Sequence, residues 1–287
     1  MQQLGILDSL IATMMLPMRY WRVSLLLGAA CVIVLLACVF WFDDSAVFGY
    51  PIDYTVLGMR MPFAVFSDHG WRGLAIWLAS AFLFISTLAV WSLAISQGGE
   101  LRLGPEMLFR RAVLFFAANL LVPIAFVPLF ATVLLMDLED MMRDEARYGY
   151  AFNLSVSDLP LIAIVIPLPI WLCSRLALWP MMILFTGWRG AMRRAWTASR
   201  GIVLRLLCHI VVIAAATAKI FDALSYLSYR LQFELLDYAT FDTAVLVIIS
   251  SVGIICAILL GYWTSALMVL YLPKDIPTGE GTVRDIF

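Results

Sequence analysis

The chain reads as an all-α, polytopic integral membrane bundle of six transmembrane helices, with both termini in the cytoplasm and amphipathic helices at the interface. Three observations lead there. Hydrophobic residues make up 63% of the 287 and charged residues only 14%, which is more apolar surface than one water-soluble core of this length can bury. Six uninterrupted apolar runs are each long enough to cross ~30 Å of hydrocarbon, which takes about 20 helical residues. Basic residues fall in alternate connections between these runs, the pattern of a multi-pass protein obeying the positive-inside rule. A β-barrel would show ~10-residue alternating segments instead. Continuous apolar runs satisfy their backbone groups in lipid only as helices.

Residues 1–22 form an N-terminal interfacial segment. Leu7, Leu10, Ile11 and Met14 recur at helical spacing and predict an amphipathic helix along the inner surface, and Arg19 and Arg22 precede the first run. That run, Val23 to Phe42, ends at Trp41-Phe42-Asp43-Asp44 without a small-residue cleavage site, so it is expected to stay as a signal anchor. The connection from Asp43 to Trp71 is acidic and carries Phe48, Tyr50, Tyr54, Phe63 and Phe66. It is too apolar for a freely solvated loop and is expected to rest on the outer interface or cap the bundle.

The second run, Gly73 to Ser96, is followed by Arg102, Arg110 and Arg111. The third, Ala112 to Met136, contains Pro123 and Pro128 and leads into an acidic stretch. There Asp137, Asp140 and Asp144 share a helical face, but Glu139, Arg143 and Arg147 alternate in sign with them, which fits a solvated helix better than a cation site. The fourth run, Leu159 to Thr186, holds Pro160, Pro167, Pro169 and Pro180. These prolines, with Pro123 and Pro128, remove backbone hydrogen bonds and predict kinked or broken spans.

The fifth run, Ile202 to Ile220, ends near Lys219, placed to snorkel outward and to pair with Asp222. An aromatic connection, YLSYRLQFELLDYATF, precedes the sixth run, Ala244 to Leu272. The membrane domain is thus 23–272, and 273–287 is a cytoplasmic tail.

Between the fourth and fifth runs lies a basic helix, 188–201. At about 100° per residue, Arg189, Arg193 and Arg200 share one sector, Met192, Ala195 and Ser199 lie opposite, and Trp196 sits at the boundary. This helix is expected to lie on the cytoplasmic surface, with Arg189, Arg193, Arg194 and Arg200 meeting lipid phosphates or a cytoplasmic protein partner. Arg175 lies inside the fourth run. An arginine there is costly unless it faces the bundle interior, a hydrated cavity or a partner, or snorkels to the inner headgroups. It is the best single site candidate. No Asp or Glu lies within the six runs to pair with it, which argues against a relay of membrane carboxylates.

Catalytic chemistry has little to stand on. Cys31, Cys38, Cys173, Cys208 and Cys256 all fall in apolar runs and read as packing residues. Only two histidines are present, His69 and His209, neither with ligand neighbours at metal spacing, so no metal and no cofactor is expected. Serine hydrolysis would pair His209 with Ser174, Ser80 or Ser86, yet there is no nucleophile elbow and no orienting acid. No phosphate-binding glycine loop appears, and no basic surface beyond the inner loops, which argues against nucleotide and nucleic acid.

The order Arg175-Leu176, Pro180, Gly187 to Gly190, Ala191 to Trp196 and Gly201 resembles the six-helix membrane domain fused to some bacterial glycerophosphodiester phosphodiesterases and also found alone in YciC-like inner-membrane proteins. The resemblance implies a six-helix fold in the bacterial cytoplasmic membrane. Members often carry an acid a few positions after the proline and a serine before the tryptophan; Phe185-Thr186 and Ala195 stand there here. The hydrolytic activity of the fused proteins resides in a separate soluble barrel, so hydrolysis does not carry over. The functional expectation is a non-enzymatic inner-membrane protein that binds lipid headgroups or partner proteins, as a scaffold or regulatory subunit. The alternative is a small transporter or permease subunit for an amphiphilic substrate, using the proline-broken spans.

Overall fold

The computed structural model describes residues 5–42, 60–99, 101, 103–122, 167–230 and 241–273. Among them the chain forms helices and no strand: α1 (Ile6–Arg19), α2 (Trp21–Phe42), α3 (Arg60–Ser96), α4 (Pro105–Leu121), α5 (Pro167–Leu176), α6 (Trp179–Thr186), α7 (Ala191–Ala198), α8 (Val203–Arg230) and α9 (Phe241–Leu270). Two stretches, Leu78–Ser96 and Ser251–Leu270, are long and apolar enough to cross a membrane, and up to four are if each sharply bent helix pair counts as one span.

The α9 helix is the hub, packing on α1, α2, α3 and α8. Its junction with α2 and α3 is a buried polar tie inside an apolar core. Trp91 of α3 stacks on Tyr262 of α9, with centroids 4.5 Å apart. The Trp91 Nε1–H donates to Ser24 Oγ at 2.9 Å, and the Tyr262 hydroxyl donates to the Ser24 carbonyl at 3.1 Å. Two aromatic rings thus bury large area while their polar ends find partners on α2. Gly261 lets α9 cross α3 closely: a Cβ there would lie 2.8 Å from a Leu88 methyl and 3.2 Å from the Phe84 ring.

The α1 helix docks in an unusual sense. Ser9, Thr13 and Leu16, one stripe at helical spacing, are its buried side, whereas Leu7, Ile11, Met14, Met15 and Met18 are exposed. Its hydroxyls are satisfied close by, Thr13 Oγ1 donating to the Ser9 carbonyl at 2.7 Å, and Trp263 Nε1 donates to the Leu10 carbonyl at 3.3 Å. Pro17 in the last turn has no N–H for the Thr13 carbonyl, and the chain bends by 77° into α2.

Helix α3 stops in a glycine turn. Gly98, at φ 76°, and Gly99 donate to the Ile95 and Ala94 carbonyls, the pairing of a Schellman cap. Gly99 also backs onto Tyr20, since a Cβ would sit 3.2 Å from that ring. Helix α4 begins at Pro105, where a missing N–H is harmless. Its Arg111 donates to the Leu184 carbonyl in the last turn of α6, a cation placed where helix carbonyls are unpaired. The α1–α2 junction, the end of α3 and the start of α4 therefore lie at one end of the molecule. The end of α6, the start of α8 and the end of α9 join them there through Arg111–Leu184, Ser9–His209 and Tyr271–His209.

Two boundaries differ from expectation. Helix α3 starts at Arg60, so the later part of the supposed outer loop is helical, with Pro62 tolerated in the first turn. Helix α8 continues to Arg230, past the expected stop at Ile220, because nothing in Phe221–Arg230 breaks a helix. The calcium-like acidic stretch from Asp137, and Pro123, Pro128 and Pro160, lie outside the described residues.

Candidate functional site

The predicted arginines converge on a helical hairpin. Helix α6 ends at Gly187, φ 80° and ψ −178°, a conformation open essentially only to glycine; its N–H donates to the Ile183 carbonyl at 2.8 Å. Gly190, at φ 73° and ψ 0°, then caps α7. Across this short turn α7 folds back along α6 and reaches α5. The stripe that makes this approach possible is small: Ala191, Ala195 and Ser199 are each 0% exposed. Gly201, also at positive φ, ends the hairpin before a 95° turn into α8.

The opposite side of α7 is the cationic one. Arg193, Arg194 and Arg200 are exposed, as is Arg189 in the turn. Met192 also faces outward, 52% exposed, although the sequence pattern grouped it with the docked face; the hairpin uses the narrower Ala-Ala-Ser stripe, on which a methionine would hold the helices apart. Pro167 and Pro169 occupy the first turn of α5, where proline fits without a kink. Pro180 sits in the first turn of α6, just after the break at Ala177 and Leu178, where its missing N–H costs no helix hydrogen bond.

Arg175, in the last turn of α5, is the most buried cation among the described residues. It is 7% exposed, its Cζ lies 4.6 Å from the Trp196 ring and 5.9 Å from the Trp171 ring, and the two rings meet edge to face at 5.4 Å. Trp196 reaches it from the end of α7, closing the hairpin onto α5. Ring contact on a desolvated guanidinium contributes about 2 kcal/mol and the α5 carbonyl end up to ~2 kcal/mol. Burying a cation costs several kcal/mol. Both rings lie to one side of the guanidinium, and its buried Nε–H meets no acceptor. Trp171 lies four residues before Arg175, hence on the same helix face. That spacing was visible in the sequence and would have identified Trp171 as its neighbour.

A second polar cluster was not anticipated. His209 pairs neither with Ser80 or Ser86 nor with Ser174; its Nε2 lies 2.9 Å from Ser9 Oγ of α1. Its Nδ1–H donates to the Arg205 carbonyl at 2.5 Å, since a carbonyl can only accept, and the Ser9 hydroxyl facing Nε2 also donates to the Ile6 carbonyl at 2.8 Å. Tyr271 packs edge-on against the imidazole. Ser9 and His209 are 3% and 1% exposed, and Ser9 lies within a regular helix, so the pair ties α1 to α8 and α9. Lys219 is exposed on α8. Among the described residues no group of three His, Cys, Asp or Glu side chains could hold a metal ion.

No family model, no curated protein and no solved structure matches the chain.

Proposed function

We propose that the chain is a six-span, multi-pass protein of the cytoplasmic membrane that gathers anionic lipid headgroups on a basic collar at its inner end. We assign the six proposed spans to α2, α3, α4, α5 with α6, α8 and α9. At about 1.5 Å per residue, the 22, 37, 28 and 30 residues of α2, α3, α8 and α9 each exceed the hydrocarbon thickness.

The observation that carries the reading is the pair of sharp bends, 77° at α1–α2 and 95° at α7–α8. If α2 and α8 stand in the bilayer, α1 and α7 lie across it. Helix α1 then turns its exposed leucine, isoleucine and methionine face into the lipid, and α7 presents Arg193 and Arg194, flanked by Arg189 and Arg200, at headgroup level. Each such arginine contributes about 1 kcal/mol toward an anionic surface. Loops that the positive-inside rule assigns to the cytoplasm are the ones meeting at this end. The exposed arginines support binding as the proposed function.

Extraction of the full chain with its surrounding lipid from a mixed phosphatidylglycerol and phosphatidylcholine membrane tests this. The retained lipid should be enriched several-fold in phosphatidylglycerol. Replacing Arg189, Arg193, Arg194 and Arg200 together with glutamine should bring the enrichment near unity, and added salt should reduce it in the parent protein. Equal enrichment in parent and variant would remove the collar as the binding surface.

A further inference from the structure

We propose that Arg175, beside Trp171 and Trp196, is a discrete site for the phosphate of one phospholipid. The assignment rests on the reading of the chain as a membrane protein but not on the charge of the collar. Arg175 is 7% exposed, the Trp196 and Trp171 rings border its guanidinium together on one side, and its buried Nε–H has no acceptor. What that buried N–H lacks is an oxygen. A phosphate supplies one, can reach a terminal N–H of the same fork with a second, and neutralises the buried charge at the same time.

The surroundings favour a lipid as the carrier of that phosphate. Trp171 is 45% exposed on the outer side of α5, so the guanidinium is bordered by an indole that can also lie against acyl chain, the position tryptophan favours at the membrane interface. The site is assembled from two elements, α5 and the end of α7, and a bound phosphate would hold the hairpin closed at the side away from its glycine turn. Phosphate contacted edge-on by arginine does not require a net anionic lipid. The site should take phosphatidylcholine and phosphatidylglycerol alike, which separates it from the collar.

The test is native mass spectrometry of the full chain, released from mild detergent after a high-salt wash and reloaded with either lipid. One phospholipid of either class should remain bound. Arg175→Gln should lower its retention about tenfold or more, and Arg175→Lys, which keeps the charge and loses the fork, should lower it comparably. The fourfold collar variant should retain it. Loss of anionic enrichment in the collar variant with this lipid still bound would leave both readings standing; unchanged enrichment there, with Arg175 sensitivity intact, would sink the collar alone.

Equal retention in parent, Arg175→Gln and Arg175→Lys would overturn the site, as would a parent protein that keeps no phospholipid, an outcome independent of whether a variant folds. Displacement of the lipid by inorganic phosphate alone would assign the site to free phosphate and overturn the lipid assignment.

Discussion

Two glycines on facing helices carry opposite instructions. A Cβ on Gly261 would lie 2.8 and 3.0 Å from the two Leu88 methyls, with Phe84 close behind, so Gly261→Ala forces both side chains aside at the α3–α9 crossing. Overpacking of this kind costs about 1–2 kcal/mol. On Gly28 the same atom meets Tyr262 Oη at 3.5 Å and Ile258 at 3.7 Å, ordinary contact, and alanine within a helix is favoured over glycine by up to ~1 kcal/mol. Gly261→Ala should therefore lower the thermal unfolding midpoint in detergent, while Gly28→Ala leaves it unchanged or raises it. A midpoint lowered equally by both would mean that helix contact at Gly261 is looser than the distances imply. Neither sign can be read from the sequence, where each is one glycine in an apolar run. The difference arises only from which residue of the partner helix lies opposite.

At the scale of elements, the α6–α7 hairpin depends on its turn. Gly187 has φ 80° with ψ −178° and Gly190 has φ 73° with ψ 0°. The first conformation is all but closed to other residues, at about 1–3 kcal/mol, whereas the second is the left-handed region that asparagine also enters. Gly187→Ala should open the hairpin, and Gly190→Asn should not. Spin labels at Trp188 and Arg200 would report this, their separation broadening only in the first variant.

The motif Arg175-Leu176, Pro180, Gly187 to Gly190, Ala191 to Trp196 and Gly201 was legible as a pattern, and each part now has a mechanical role: cation, helix break, reversal, docked stripe, exit. Less legible was the face used for docking. The helical wheel pairs Met192 with Ala195 by angle alone, but the hairpin selects by size, and Ala191, Ala195 and Ser199 form the stripe that lets the backbones approach. The Ser9–His209 tie escaped for a different reason, since its members are joined only by how α1 folds against α8, and local spacing holds no record of a contact between the two ends of a chain.

For the whole molecule, what was readable at once was the helical, membrane-compatible character, because apolar run length is a one-dimensional property. The proposed topology rests on two independent lines. Arg19, Arg22, Arg110, Arg111, Arg189, Arg193, Arg194 and Arg200 belong to connections assigned to one side by charge, and the helix ends near those residues converge in space through Gly99–Tyr20, Arg111–Leu184 and Ser9–His209. With an odd number of crossings between any two of these junctions, the contacts could not form at one end. In a variant with Cys31, Cys38, Cys173, Cys208 and Cys256 replaced, single cysteines at Ser45, Ala146 and Thr240 should react with a membrane-impermeant maleimide in intact cells. A cysteine at Arg193 should react only after the membrane is opened. Protection of Ala146 in intact cells would remove the crossings proposed for α4 and for α5 with α6, reducing the proposed six spans to four while leaving the inner end where it is. Labelling of Arg193 from outside would invert the protein and place the collar against the outer leaflet, where the cytoplasmic surface potential that favours its arginines is absent.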